Sequence, residues 1–422
     1  MWDESEHLKM DEECRICMLS FKYRIYPTNK QVLRLHHQMQ VSKNLYNALF
    51  EKAKEHYRQT GKTFSQFDMN KHITQLKKEN PEFKELHSQV AQNVSKRLGD
   101  SYKAFFRRAR EKKNGKHIKV GFPRFKKHVS SLTYTQSGFK FNSERRLYLS
   151  GIGNIPIVLH RVPQGKIKTC VVKVYGSGKW FVGFANELPE TEFKSNGKEP
   201  VGIDVGLTSF ATLSDGQKIQ PPKFLLKSED KLKLLHRRVS RKRKGSRNRR
   251  KAIIILARGE EKVANQRLDF LHKLSKQLVT SYSVIGLEKL AIQNMMKNHC
   301  LAKSINDASW GMFRQMPHYK AWSAGCEVVD VDPRGTTTEC SECRSNQDMP
   351  LSERIYKCQS CGHTEDRDVN SAKVIKARAL SILAKSTVGL TGSHACGDTT
   401  STCPIMDKQV VSLKQELHGA RT

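Results

Sequence analysis

Apolar and polar positions along the chain alternate between a period of two and a period near three and a half, and the switches divide it into blocks. Leu19, Phe21, Tyr23 and Ile25 alternate and predict a strand over 18–26, stopped by Pro27. Thr28 and Gln31 have the spacing of a capping box, and the helix they open carries Leu35, Met39, Tyr46, Leu49 and Ala53 along one face as far as Gly61. A second helix is predicted over 67–78, broken before Pro81. A third is predicted over 86–110, with Leu86, Val90, Val94, Leu98, Tyr102 and Phe105 on one stripe and Lys and Arg opposite. From Gly121 to Ala185 the period returns to two, in short runs at 132–135, 155–159, 167–175 and 180–185 separated by turns at Gly151, Gly153, Gly165 and 176–178. Short strands between glycine turns suit a small barrel. Its first strand is the one at 18–26, so the helices at 28–112 are an insertion, and 188–200 is a polar linker with two prolines.

After residue 200 the pattern is different. Val201, Ile203 and Val205 share one face of a strand; Asp204 stands on the other, between Gly202 and Gly206, which leave room for something bulky near the backbone. Strands at 209–213 and 217–220 follow through the Asp215-Gly216 turn, then two long helices over 223–280 and a strand at 283–287 that ends in Glu288. A helix with Trp310, Phe313 and Tyr319 stops at Gly325, a strand spans 327–331, and a last helix spans 369–384. A three-strand meander, a helical excursion, a strand, a helix, a strand and a helix is the chain order of an RNase H-like fold. The expected architecture is therefore α/β and multidomain: an N-terminal β-barrel (18–27 and 113–187) with a helical insertion (28–112), then an RNase H-like nuclease domain (198–331 and 366–385). Residues 1–17 read as a loose leader and 386–422, rich in Ser, Thr and Gly, as a disordered tail.

Charge narrows the function. The 422 residues hold 75 Lys and Arg against 41 acids, a net charge of +34 spread along the chain, far more than solubility requires. A polyanion, with nucleic acid foremost, is the implied partner. The densest run, 241–251, has eight basic residues of eleven: Arg241, Lys242, Arg243, Lys244, Arg247, Arg249, Arg250 and Lys251. At that density self-repulsion calls for an anion, so it is a candidate nucleic-acid contact. No apolar run approaches the ~20 residues of a membrane span, and the acidic N-terminus is no secretory signal, so no membrane and no export are expected.

The eleven cysteines point to free thiols in a reducing compartment. Cys14 and Cys17 have no second pair nearby and read as incidental. Cys340/Cys343 and Cys358/Cys361 are two Cys-x-x-Cys knuckles framing a short loop, a spacing that suits four thiolates around Zn²⁺ at roughly 2.3 Å. Such a site has no open position, so the zinc of this ribbon (332–365) is structural.

An RNase H-like order gathers acids from its first strand, its fourth strand and a late helix, which here are Asp204, Glu288 and Asp368. Singly, each has a plain alternative: Asp204 a turn former, Glu288 a surface residue, Asp368 a helix cap. Together they form a site for Mg²⁺, which takes hard oxygen ligands, and two such ions would serve in-line phosphodiester cleavage. Asp366 is the runner-up for the third acid, with Asp330 and Asp332 behind it.

The pieces 121–126 (Gly-Phe-Pro-Arg-Phe-Lys), 202–206 (Gly-Ile-Asp-Val-Gly), 267–273 (Arg-Leu-Asp-Phe-Leu-His-Lys), 286–288 (Gly-Leu-Glu), 307–310 (Asp-Ala-Ser-Trp), both knuckles and 366–370 (Asp-Arg-Asp-Val-Asn) are together specific, and they span residues 18 to 385. In them the chain resembles the transposon-encoded TnpB (OrfB-type) RNA-guided DNA endonucleases, relatives of type V CRISPR effectors. It departs from that pattern at Arg344, where Gly is usual after the second Cys, at Thr337-Thr338, and at Ser371-Ala372. The resemblance implies a RuvC-type nuclease domain, a wedge-type barrel and a recognition insertion. It further implies a guide RNA, a double-stranded DNA target cut beside a short motif, and contacts from Arg124, Lys126 and Gln92. A monomer on its RNA, in the nucleoid-associated cytoplasm of a prokaryotic host, is expected. The alternatives are a guided repressor without cleavage and a transposase that joins strands.

Overall fold

The computed structural model describes residues 17–388 except 143–144, 189–192 and 351. The leader, with Cys14, and the tail from 389 onward lie outside the described residues. The described chain falls into two compact units, one before and one after residue 190.

In the first unit, β1 (Cys17–Ile25) leads into α1 (Asn29–Thr60). The capping box is formed in both directions: the Gln31 backbone N–H donates to Thr28 Oγ1 at 3.4 Å and the Thr28 N–H to Gln31 Oε1 at 3.0 Å. Gly61 ends the helix at φ 69°, a left-handed conformation that glycine takes without strain. Next come α2 (Gln66–Glu79) and α3 (Ser88–Lys113); α3 buries Val90, Val94, Leu98 and Tyr102 as its stripe predicts. Leu86 is also buried but precedes the helix, at the end of a short 3-10 turn.

Six more strands follow: β2 (Ser131–Thr135), β3 (Phe139–Asn142), β4 (Arg146–Leu149), β5 (Gly153–Val158), β6 (Lys166–Val174) and β7 (Trp180–Leu188). β3 and β4 are absent from the strands expected above although both alternate, Phe139 and Phe141 with Lys140 and Asn142, Leu147 and Leu149 with Arg146 and Tyr148; each run is only four residues long. The strand order is β2-β6-β7-β1-β5-β4-β3, so β1 joins strands from beyond the helices. β2 and β3 lie at opposite ends of that order yet only residues 136–138 connect them, so the sheet must curl until its edges approach. Tyr134 spans the gap, its hydroxyl donating to the Ser150 carbonyl at 3.3 Å. The result is a near-barrel around Phe21, Tyr23, Ile25, Tyr134 and Phe184.

The second unit is built on β8 (Val201–Asp204), β9 (Ala211–Leu213) and β10 (Lys218–Ile219). Then come α4 (Phe224–Ser240), α5 (Arg247–Ser281), β11 (Val284–Glu288), α6 (Ile292–Met295), α7 (His299–Ala308), α8 (Trp310–Ala321) and β12 (Glu327–Val331). A small hairpin, β13 (Ile355–Lys357) and β14 (Thr364–Asp366), precedes α9 (Arg367–Val388). The order β10-β9-β8-β11-β12 has the first three strands antiparallel and the last three parallel. Val201 and Ile203 pack with Leu271, Leu278 and Phe313 on one face. On the other lies α9, through Ile375 and Ala379 against Val329 and Val331.

Candidate active site and metal centre

The acid site follows from strand register. β8 and β11 pair in parallel, Gly202 beside Gly286 and Ile203 beside Leu287, so the next position sets Asp204 beside Glu288. Alternation puts Asp204 on the face of Gly202 and Glu288 on the face of Gly286. Both glycines lie under α9. A Cβ on Gly202 would stand 2.0 Å from the Ala372 carbonyl oxygen, and one on Gly286 would stand 2.9 Å from the Ala379 Cβ. The room that Gly202 leaves is therefore taken by this helix, not by a ligand. Asp368 lies one turn before Ala372 and on the same side of α9, so the helix that rests on the glycines also carries the third acid to the strand ends. Asp204 is the last residue of β8, where the sequence suggested mid-strand.

Burial is the largest influence on Asp204 and holds its carboxyl well above the usual range; Glu288 and Asp368 add like-charge repulsion, while Arg367 and the Val205 N–H act the other way. Burial also raises Glu288, against a hydrogen bond from Thr336 and the charge of Arg378. Thr336 is buried, and its hydroxyl donates to Glu288 Oε1 at 2.6 Å.

The other acids are engaged elsewhere. Asp366 caps α9, accepting from the Asp368 and Val369 N–H groups at 3.1 and 3.2 Å, and holds Lys218 at 2.7 Å. The cap is thus Asp366, not Asp368. Asp330 is paired with Arg314 and His318, and those partners hold its carboxyl low despite burial. Asp332 closes a turn with the Arg334 N–H at 3.0 Å.

The four cysteine thiols lie within 4.8 Å of one another, the one such group of metal-ligating side chains among the described residues. Cys340 and Cys361 Sγ are 3.8 Å apart and Cys343 and Cys358 Sγ 3.5 Å. A tetrahedron with bonds of roughly 2.3 Å has edges near 3.8 Å, so this donor set fits a four-thiolate ion. The knuckles repeat one bonding pattern. The Arg344 N–H donates to the Cys340 carbonyl at 3.1 Å and the Gly362 N–H to the Cys358 carbonyl at 3.1 Å. Arg344 and Gly362 both have positive φ, 65° and 75°. Glycine is suited to that conformation; Arg344 is held there with its guanidinium 3.1 Å from Glu339.

The cluster is tied to α9. Asn370, buried, donates to the Glu339 carbonyl at 2.8 Å and accepts from the Ser341 N–H at 2.9 Å. Arg378 reaches Glu339 and the Arg334 carbonyl. Sequence reasoning passed over Thr336, Asn370 and Arg378; Asn370 stands inside a quoted motif, but nothing in its spacing shows what it holds.

The basic run is divided: 241–246 is a connection and 247–251 opens α5. Seven of its eight basic side chains are exposed; Arg249 instead closes the end of α4 through the Val239 and Lys242 carbonyls at 2.8 and 3.0 Å. In the first unit Gln92 is exposed on α3, and Arg124 and Lys126 are exposed in the coil after it. Two motif segments meet within the second unit, where Arg267 Nε donates to Asp307 Oδ1 at 2.8 Å.

Three family profiles match. One described as "Probable transposase" (OrfB of IS605) covers residues 184–299, one described as "Cas12f1-like, TNB domain" covers 310–375, and one described as "Helix-turn-helix domain" covers 18–62. The last stretch is here a strand and one unbroken helix. A Streptomyces pristinaespiralis protein named "Putative RNA-guided DNA endonuclease" is 33% identical over 388 residues, 90% of this chain and 91% of that one. The Escherichia coli K12 protein "Putative RNA-guided DNA endonuclease InsQ" is 28% identical over 386 residues, 86% of this chain and 93% of that one. Among solved structures, a Cas12f1-sgRNA-target DNA complex aligns with a TM-score of 0.52 at 15% identity, over 82% of each chain, a likeness of fold.

Proposed function

We propose a function from one premise: the chain belongs to the OrfB (IS605) family, together with relatives named as RNA-guided DNA endonucleases. On this reading it is itself an RNA-guided DNA endonuclease of a transposable element, with guide RNA and double-stranded DNA as partners. The nuclease half is an RNase H-like, RuvC-type domain at 198–331 and 366–385, carrying a zinc ribbon at 332–365, and cleavage depends on Mg²⁺. The observation that carries the reading is the meeting of Asp204, Glu288 and Asp368 where α9 crosses two paired glycines.

The donor set suits divalent ions: Asp204, Glu288 and Asp368 offer hard carboxylate oxygens, and positive charge would relieve the cost that burial, and then the other two acids, place on an ionised Asp204. When bound, Mg²⁺ supplies an activated water and charge neutralisation at the leaving 3′ oxygen. Asp204 and Glu288 hold ligand oxygens at adjacent strand ends, and Asp368 adds one from the helix. Thr336 fixes which way the Glu288 carboxylate faces, and Asp366, by capping α9, keeps Asp368 free of that duty. The cysteines hold Zn²⁺ without an open position, so the ribbon acts by shape. Base pairing supplies sequence specificity, and the exposed basic side chains of 241–251 neutralise backbone phosphate.

The test is cleavage of motif-bearing duplex DNA by protein purified with its own RNA. Cutting should need Mg²⁺, stop in EDTA, and fall by at least about a thousandfold in Asp204→Ala, roughly 4 kcal/mol of barrier. Equal activity in wild type and Asp204→Ala would end the proposal.

A further inference from the structure

We propose that the coil after α3 is a stacking platform for unpaired bases of single-stranded RNA, with Phe122 and Phe125 as its contact rings. The inference rests on the guide-RNA reading above and adds where unpaired nucleotides are gripped.

The segment 114–130 has no regular structure, yet it is held fast. Asn47 of α1 clamps it by two bonds: the Lys126 N–H donates to Asn47 Oδ1 at 2.8 Å, and Asn47 Nδ2 donates to the Lys126 carbonyl at 3.1 Å. Arg108 of α3 donates to the Gly121 carbonyl at 3.3 Å. Pro123 is buried between the two phenylalanines, which remain 47% and 49% exposed. The loop is thus pinned by its backbone and its proline while two aromatic rings three residues apart keep about half their surface in water.

The rings are also fixed in orientation. Phe125 meets Phe50 at 4.9 Å with planes 77° apart, and Phe122 meets Phe105 at 5.1 Å and 85°. Packing of this kind removes the entropy cost of ordering a side chain when a base arrives.

Charge identifies the occupant. From Arg107 to Lys127 ten residues are Lys or Arg and one, Glu111, is acidic. An apolar protein partner would gain nothing from that surround. A strand of phosphates with unpaired bases matches both features, since bases stack on aromatic rings while the backbone follows positive charge. A duplex hides its base faces and could use only the charge.

The experiment measures binding of the full chain, freed of co-purified RNA, to a single-stranded oligoadenylate of about a dozen nucleotides carrying one 2-aminopurine. Phe122→Leu and Phe125→Leu keep apolar volume but lose the aromatic face. Each should weaken binding about fivefold or more, relieve the quenching of 2-aminopurine, and leave the slope of affinity against salt unchanged. Arg124→Ala should instead lower that slope by about one. Unchanged circular dichroism confirms that the variants fold. Wild-type affinity and quenching in both leucine variants would overturn the platform while leaving the guide-RNA reading intact. Failure of the wild type to bind any single-stranded RNA would overturn both.

Discussion

The cysteine cluster and the acid site share the second unit but are assembled in opposite ways. The cysteine site is local: its ligands lie between residues 340 and 361, on two knuckles that repeat one turn, and its thiols stand within 4.8 Å. The acid site joins residues 204, 288 and 368 through a parallel ladder and a helix laid over two glycines, and its carboxylates do not gather to that closeness. Burial and the like charge of Glu288 and Asp368 both act against an ionised Asp204, so bringing these three acids together carries a cost. A local turn suffices for the cysteines. The acids need a rigid frame that holds them together against that cost, and the ribbon is bonded into that frame through Thr336, Asn370 and Arg378.

The largest way to break this contrast is to remove the metal from the local site. Cys358→Ser should lose zinc and unfold 333–365, because structural zinc contributes on the order of 10 kcal/mol to such modules; zinc content and protease sensitivity of the segment report it. Next is the frame. Gly202→Ala drives a methyl group against the backbone of α9 and should cost about 3 kcal/mol or more, seen as a lowered melting temperature together with lost cleavage.

Thr336→Val keeps shape but removes a hydrogen bond to a carboxylate, worth about 1.5–3 kcal/mol. It should raise the Mg²⁺ concentration for half-maximal cleavage at least tenfold without altering zinc content, and Thr336→Ser should restore it. Asp204→Asn should shift stability the other way, by about 1 kcal/mol. The folded state holds the Asp204 proton more tightly than the unfolded chain, so without divalent ions stability falls as pH rises above about 4 through the raised folded value. In EDTA the variant should therefore melt higher than wild type at pH 8, with the two converging near pH 4. Coincident melting curves at pH 8 would show that the carboxylates do not strain the fold. The smallest effect belongs to Arg344→Gly. Relief of a left-handed arginine, about 1 kcal/mol, is nearly offset by added unfolded-state freedom and the lost Glu339 contact, so zinc content should not change and stability should move by less than about 1 kcal/mol.

Much of this was legible along the chain because it depends on near neighbours. The Thr28–Gln31 cap, the stop at Gly61, the stripe on α3, the edges of β12 and both knuckles each follow from residues a few positions apart, where steric and hydrogen-bonding rules act directly. The acids were picked out by element order, and that order could not say which carboxylate would be spent on structure. Tertiary packing decided that Asp366 holds Lys218 and that Asp330 answers Arg314. It decided too that Gly202 and Gly286 admit a helix, that Thr336 reaches Glu288, and that Phe122 and Phe125 stay half in water. The physical reason is range. Local preference acts within a turn or two, whereas the partner of a side chain tens of residues away exists only once both backbones have been brought together.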